Sequence, residues 1–227
     1  NETGTIQPIA EIARIAHQHG VLMHTDAAQS VGKIPVNVHE LDVDLLSFAG
    51  HKLYAPKGIG ALYVRPGLRL EPLIYGGGQE RGLRAGTENV ALMVALGTAC
   101  QIAQEQMTET PPRLQHLRDL LWQRLNELLN VPLALNGHET QRLPNTLNIR
   151  VSGLVGEDIL AATPGIASST GSACHAGNTD PSEVLLALGL ARSQALGALR
   201  LTLGRWSTED EIERAARMLA QTIASLL

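Results

Sequence analysis

Along the first sixty or so residues, short apolar runs end abruptly in polar, chemically active residues, and helical stretches separate them. This alternation restricts the chain to an α/β architecture in which helices cover a sheet. Residues 21–24 run into Thr25-Asp26-Ala27-Ala28-Gln29, residues 41–48 into Gly50-His51-Lys52, and residues 58–64 read as a third strand. Ahead of them Ile9, Ile12, Ala13 and Ala16 recur at helical spacing, with Gly20 placed to end the helix. In open α/β sheets the crevice beyond the strand ends gathers ligands. Asp26 and the His51-Lys52 pair occupy such positions.

The remainder divides in two. Gly76-Gly77-Gly78 marks a loop, residues 79–89 are polar and glycine-punctuated, and a long helix spans about residues 89–106. Pro111-Pro112 interrupts the pattern, so the sequence places a boundary between residue 104 and those prolines: residues 1–104 form one domain and residues 105–227 a smaller α/β domain. In the second, Leu114, Leu117, Leu121, Leu125 and Leu128 make one helical stripe, and residues 146–151 alternate like a strand. Residues 156–162 read as helix, and residues 166–169 as a strand leading into a small-residue loop over 169–178. Asp180-Pro181-Ser182-Glu183 signals a helix start with Asp180 as cap, residues 198–203 a strand, and Ser207-Thr208-Glu209-Asp210 the cap of a last helix. The chain opens on Asn1 and not Met, and the pattern reads as beginning in mid-domain.

Composition narrows the function. Lys and Arg number 18 against 22 Asp and Glu, a net charge of −4, which argues against nucleic acid as a partner. No apolar run is long enough for a membrane span, and no signal-peptide pattern is present. Two cysteines cannot build a disulfide framework, so a reducing, cytoplasmic setting is expected.

Several residues carry candidate chemistry, each with a plainer alternative. Lys52, at a strand end beside His51, could be a partly desolvated amine that forms a Schiff base with a carbonyl, or a solvated surface lysine. Asp26 could hold a protonated pyridine nitrogen, or cap a helix. Cys174 lies in Ser172-Ala173-Cys174-His175-Ala176-Gly177, with no bulky neighbour, as a reactive exposed thiol modulated by His175 or as an inert surface cysteine. Cys100, inside an apolar helix, reads as core. Arg200, within an apolar strand, needs either a substrate carboxylate or an internal Asp or Glu. His17, His19 and His24 point in different directions and read as packed or solvated, with no metal implied.

Taken jointly, the motifs resemble those of the cysteine desulfurases, pyridoxal-phosphate enzymes of the aspartate-aminotransferase fold type. The resemblance rests on Asn1-Glu2-Thr3-Gly4, the run from His24 through Gly32, Gly50-His51-Lys52, Gly76-Gly77-Gly78-Gln79-Glu80-Arg81, Arg84-Ala85-Gly86-Thr87, Leu143-Pro144-Asn145-Thr146, Gly171-Ser172-Ala173-Cys174 and Leu199-Arg200, in family order. It implies a partial large domain of a fold-type I transferase, a mostly parallel sheet flanked by helices, followed by the smaller domain carrying the cysteine loop. Lys52 would hold pyridoxal 5'-phosphate and move the substrate α-proton. Asp26 would pair with the ring nitrogen, Gln29 and Asn1 with the ring-hydroxyl side, His51 with the phosphate, and Thr87 with the phosphate of a partner subunit in a homodimer. Arg200, with Asn1, would bind the substrate L-cysteine. Cys174 would take the sulfur as a persulfide, leaving alanine, and pass it to a sulfur-acceptor protein, a scaffold or carrier. Ala49 stands where many family members have a phosphate-contacting serine, and the family's long stretch ahead of Asn1 has no counterpart. The pattern also resembles selenocysteine lyase, which would release selenium from selenocysteine. A truncated, non-catalytic remnant offering a dimer or partner surface is the reading from a different class.

Overall fold

The computed structural model describes residues 1–171 and 180–227. The small-residue loop with Cys174 and His175 therefore lies mostly outside the described residues. The chain separates into two compact units, Gln7–Met107 on one side and Thr108–Leu227 with Asn1–Ile6 on the other. The opening residues thus pack with the C-terminal unit and not with the stretch that follows them. Pro111 and Pro112 sit in the first turn of a helix, where a missing N–H leaves no bond unmade, and do not form a linker.

The unit Gln7–Met107 contains helix α1 (Ile9–Gln18), strand β1 (His24–Asp26), helix α2 (Val38–Leu41), strands β2 (Leu45–Ala49) and β3 (Gly60–Val64), and helix α3 (Val90–Glu105). The sheet order is β1-β2-β3. β1 runs parallel to β2, and β3 joins antiparallel, so the parallel character expected from sequence resides in one pair. β1 starts later than the apolar run suggests: residues 21–23 precede it, and Met23 O receives the Asp44 and Leu45 amides before the ladder begins. Residues 41–48 do not form one strand. Asn37 accepts the His39 amide and starts α2, and Asp42 ends it in the left-handed region at φ 52°. Ala13, Ala27, Val43 and Leu46 form one apolar cluster under the sheet. Leu53, Ala55, Leu96, Ala99 and Ala103 form a second beneath α3, with Cys100 packed on it. Burial raises the pKa of the Cys100 thiol, as a core cysteine requires.

The C-terminal unit contains helix α4 (Thr110–Leu128), strands β4 (Leu133–Leu135) and β5 (Thr146–Val151), helices α5 (Gly156–Ala161), α6 (Glu183–Ala187) and α7 (Arg192–Leu196), strand β6 (Ala198–Thr202) and helix α8 (Glu209–Leu226). The sheet β4-β5-β6 is antiparallel throughout. Four of the five stripe leucines of α4, from Leu114 to Leu125, are buried with Ile149, Leu199, Leu219 and Ile223 between α4, α8 and the sheet. Leu128 is exposed, because the stripe drifts off the core face by the last turn. α8 opens on a capping box of Thr208 and Glu211. Two local expectations change. Residues 166–169 contribute only one bridge, Ser169 to Arg200, and α6 is capped by Ser182 while the Asp180 carboxylate pairs with Arg192.

Candidate functional site

The parallel register aligns Asp26 with Ser47, so both belong to the same end of the β1–β2 pair. From there β2 passes into a 3-10 turn, Gly50–Leu53, which carries His51 and Lys52. Gly50 makes this turn possible: a Cβ there would meet Ile59 Cγ2 at 2.9 Å, Ile59 O at 3.0 Å and Leu96 Cδ1 at 3.1 Å. Leu53, 4% exposed, anchors the turn in the α3 cluster. The turn over residues 28–33 bears on the same leucine, since a Cβ on Gly32 would lie 2.4 Å from Leu53 Cδ2. Tight packing around one side chain thus brings the two polar loops together at the strand ends.

Asp26 does not cap a helix. Its Oδ1 accepts the Ala28 amide at 2.8 Å across a turn, and no described residue bonds Oδ2. Gln29 Oε1 accepts a hydrogen bond from Lys33 Nζ at 3.3 Å. His51 and Lys52 are both exposed. The partly desolvated amine expected at position 52 is therefore found at position 33 instead. The half-buried Lys33 ammonium is brought down from 10.5 to about 8, first by burial and second by the charge of Lys52. Lys33 escaped the sequence reading, although its spacing of four from Gln29 was visible in it. Thr87 is exposed in the loop before α3, with no hydrogen bond to this strand-end group.

In the C-terminal unit Arg200 is held in β6. Its amide donates to Ser169 O at 2.7 Å, and Ser168 Oγ donates to its carbonyl at 2.5 Å. Its Nε is buried and has no hydrogen-bond partner among the described residues, and no described carboxylate forms an ion pair with the side chain. Directly across the ladder stands Asn148, which is fully buried. Residues opposite one another in an antiparallel pair share a face, so the Asn148 amide and the Arg200 guanidinium leave the same side of the sheet. Asn148 Nδ2 donates to Glu2 O at 3.0 Å, and its Oδ1 accepts from Asn136 Nδ2 at 2.8 Å. Arg142 Nη2 donates to Thr3 O at 2.7 Å and Asn136 O at 3.1 Å, and Leu143 N donates to Gly4 O at 2.7 Å. These bonds hold the opening residues on the sheet, which sets the exposed Asn1 one residue from the amide facing Arg200. The buried Glu2 carboxylate accepts from Ser182 Oγ at 2.5 Å, while that oxygen also receives the Leu185 amide. Asn148 was missed in sequence, though an asparagine amid the apolar run Leu147–Val151 is its signal. Cys174 falls outside the described residues.

Among the described residues, two groups of polar atoms thus stand unmatched, one in each unit. The strand-end group offers a carboxylate oxygen, an amide and a primary amine, and the C-terminal unit a buried guanidinium nitrogen. The strand-end group would match a pyridine nitrogen, a ring hydroxyl and an aldehyde, and so fits pyridoxal phosphate; the guanidinium nitrogen, in its own unit, would match a carboxylate.

The chain is 47% identical over 228 residues to a cysteine desulfurase of Gluconacetobacter diazotrophicus, covering 100% of this chain and 57% of that protein. Its structure matches a NifS-like protein with a TM-score of 0.88 at 36% identity, covering 100% of this chain and 59% of the other. It also matches SspA, solved in complex with cysteine, with a TM-score of 0.70 at 35% identity, over 91% of this chain and 57% of that one. The chain therefore spans a little over half the length of these relatives. The aminotransferase class-V family model matches residues 1–215. With that match over nearly its whole length, the chain belongs to the aminotransferase class-V family.

Proposed function

We propose that the chain is part of a cysteine desulfurase that uses pyridoxal 5'-phosphate, acts on L-cysteine and hands sulfur to an acceptor protein. The observation that carries the reading is the parallel register that puts Asp26 and the Lys52 turn at one end of β1 and β2. When bound, the cofactor supplies an electron sink for the carbanion formed at the substrate α-carbon. Lys52 Nζ would hold the cofactor aldehyde and, once released, carry the α-proton. The free Oδ2 of Asp26 would keep the ring nitrogen protonated. Gln29 and Asn1 would contact the ring-hydroxyl side, and His51 the phosphate. Thr87 would reach the phosphate of a partner subunit in a homodimer. Arg200, whose buried Nε has no described partner, would clamp the substrate carboxylate with Asn1 beside it. The Cys174 thiolate would attack the substrate sulfur. The carbon–sulfur bond would break with its electron pair going to the β-carbon, which takes up a proton, so that alanine would leave and Cys174 would keep the sulfur as a persulfide until it passes to the acceptor. Gln7–Met107 would be part of the cofactor domain, and Thr108–Leu227 with Asn1–Ile6 the small domain. A cytoplasmic location would keep the thiol reduced.

That a relative was solved in complex with cysteine favours cysteine over selenocysteine. The test is borohydride reduction of the protein loaded with pyridoxal phosphate, followed by peptide mapping. The cofactor is expected on Lys52, and Lys52→Ala should abolish labelling; label on another lysine refutes the assignment. Incubation with L-cysteine should give alanine and a persulfide on Cys174, absent in Cys174→Ala with cofactor retained. Alanine formed only from selenocysteine would replace the proposal with a lyase.

A further inference from the structure

Lys33 is the half-buried amine that the proposed chemistry leaves unused. It lies on the turn over residues 28–33 that packs against Leu53, the residue next to Lys52. Its Nζ donates to Gln29 Oε1. An ammonium group can only donate, so the Gln29 atom facing it must be the carbonyl oxygen. The amide nitrogen then points the other way, and no described residue accepts from it. We propose that Lys33 is a positioning residue that fixes the Gln29 carboxamide so that its N–H2, and not its carbonyl, is offered to an anionic ring oxygen. The inference rests on the reading of Gln29 as a contact to the cofactor's ring hydroxyl. It adds the residue that decides which end of Gln29 makes the contact. Without Lys33 the two ends of the amide become interchangeable, and the carbonyl end repels a phenolate oxygen.

The chemistry predicts a dependence that a purely structural lysine would not show. In the full chain loaded with pyridoxal phosphate, Lys33→Met should shift the balance between the long- and short-wavelength absorption bands of the bound cofactor. Its pH midpoint should move upward, because the deprotonated ring oxygen has lost its donor. Cofactor retention should weaken about tenfold, the equivalent of about 1.4 kcal/mol for one charge-assisted bond. Lys33→Arg, which also only donates, should restore the band ratio. Because Lys33 acts through Gln29, the double variant Lys33→Met/Gln29→Leu should be no worse than Gln29→Leu alone. A Lys33→Met protein with the parent's band ratio and pH midpoint overturns the proposal, as does full additivity in the double variant. If the parent chain takes up no pyridoxal phosphate, the functional reading fails with it, and that outcome is distinguished by the absence of any cofactor band.

Discussion

Replacing Asn148 with leucine asks how firmly the opening residues are held. The two side chains branch alike at Cγ and leucine is the bulkier, so the change removes hydrogen bonds without opening a cavity. It leaves the Glu2 carbonyl and the Asn136 Nδ2 each without its partner, at a position with 0% exposure. Each buried group left unpaired costs about 1–3 kcal/mol, and burying leucine returns about 1.5–3 kcal/mol. For the two groups together, the midpoints of these ranges leave a net destabilisation of about 2 kcal/mol. Urea unfolding followed by circular dichroism measures it. Amide exchange locates it, since Ile6 donates to Gln141 and Leu143 to Gly4 across the seam that Asn148 closes. Both amides should lose protection before the β5–β6 ladder does. A variant within about 0.5 kcal/mol of the parent, with Ile6 and Leu143 still protected, would refute the claim that the buried amide holds the segment.

Three further outcomes follow from the packing and the charges. Both His17 nitrogens face carboxylates, Asp42 at 3.2 Å and Asp44 at 2.8 Å, so the ring must be doubly protonated to donate to both, and its pKa is raised above 6.5, chiefly by the Asp44 bond. That contribution is fully present below the ordinary value of 6.5 and is lost as pH climbs through the raised value, so the thermal midpoint should fall on the alkaline side in the parent and stay flat there in His17→Gln; parallel pH profiles would contradict it. Leu125→Ala, at 0% exposure between α4, α8 and the sheet, should cost about 2–5 kcal/mol in urea unfolding, and a loss under 1 kcal/mol would mean that the helix is not seated as described. Gly156→Ala drives a Cβ to 2.1 Å from Ala198 O, so the same measurement should show a loss of about 1–3 kcal/mol, and an unchanged midpoint would count against that close approach.

Periodicity made the long elements readable. The α4 leucine stripe, the approximate extent of α3 and strand β5 were all legible in the sequence, whereas the cap at Asn89 is seen only in the structure. Short elements were less legible, because a few residues of apolar sequence do not separate a strand from the run that leads into it. β1 and the split of residues 41–48 into α2 and β2 were decided by tertiary hydrogen bonds at Met23 and a left-handed Asp42. At the site, strand-end polarity pointed to Asp26 and Lys52. It could not reveal Lys33 or Asn148, whose roles depend on which atoms meet across turns and strands.

A unit stitched from segments far apart in the sequence constrains the order in which it can form. Asn148 reaches back to Glu2, Arg142 to Thr3 and Ser182 to Glu2 across 146, 139 and 180 residues of chain. On a ribosome the stretch Gln7–Met107 can collapse as soon as it emerges, whereas Asn1–Ile6 must wait for partners synthesised much later. Residues 1–6 are therefore among the last of this stretch to find their place.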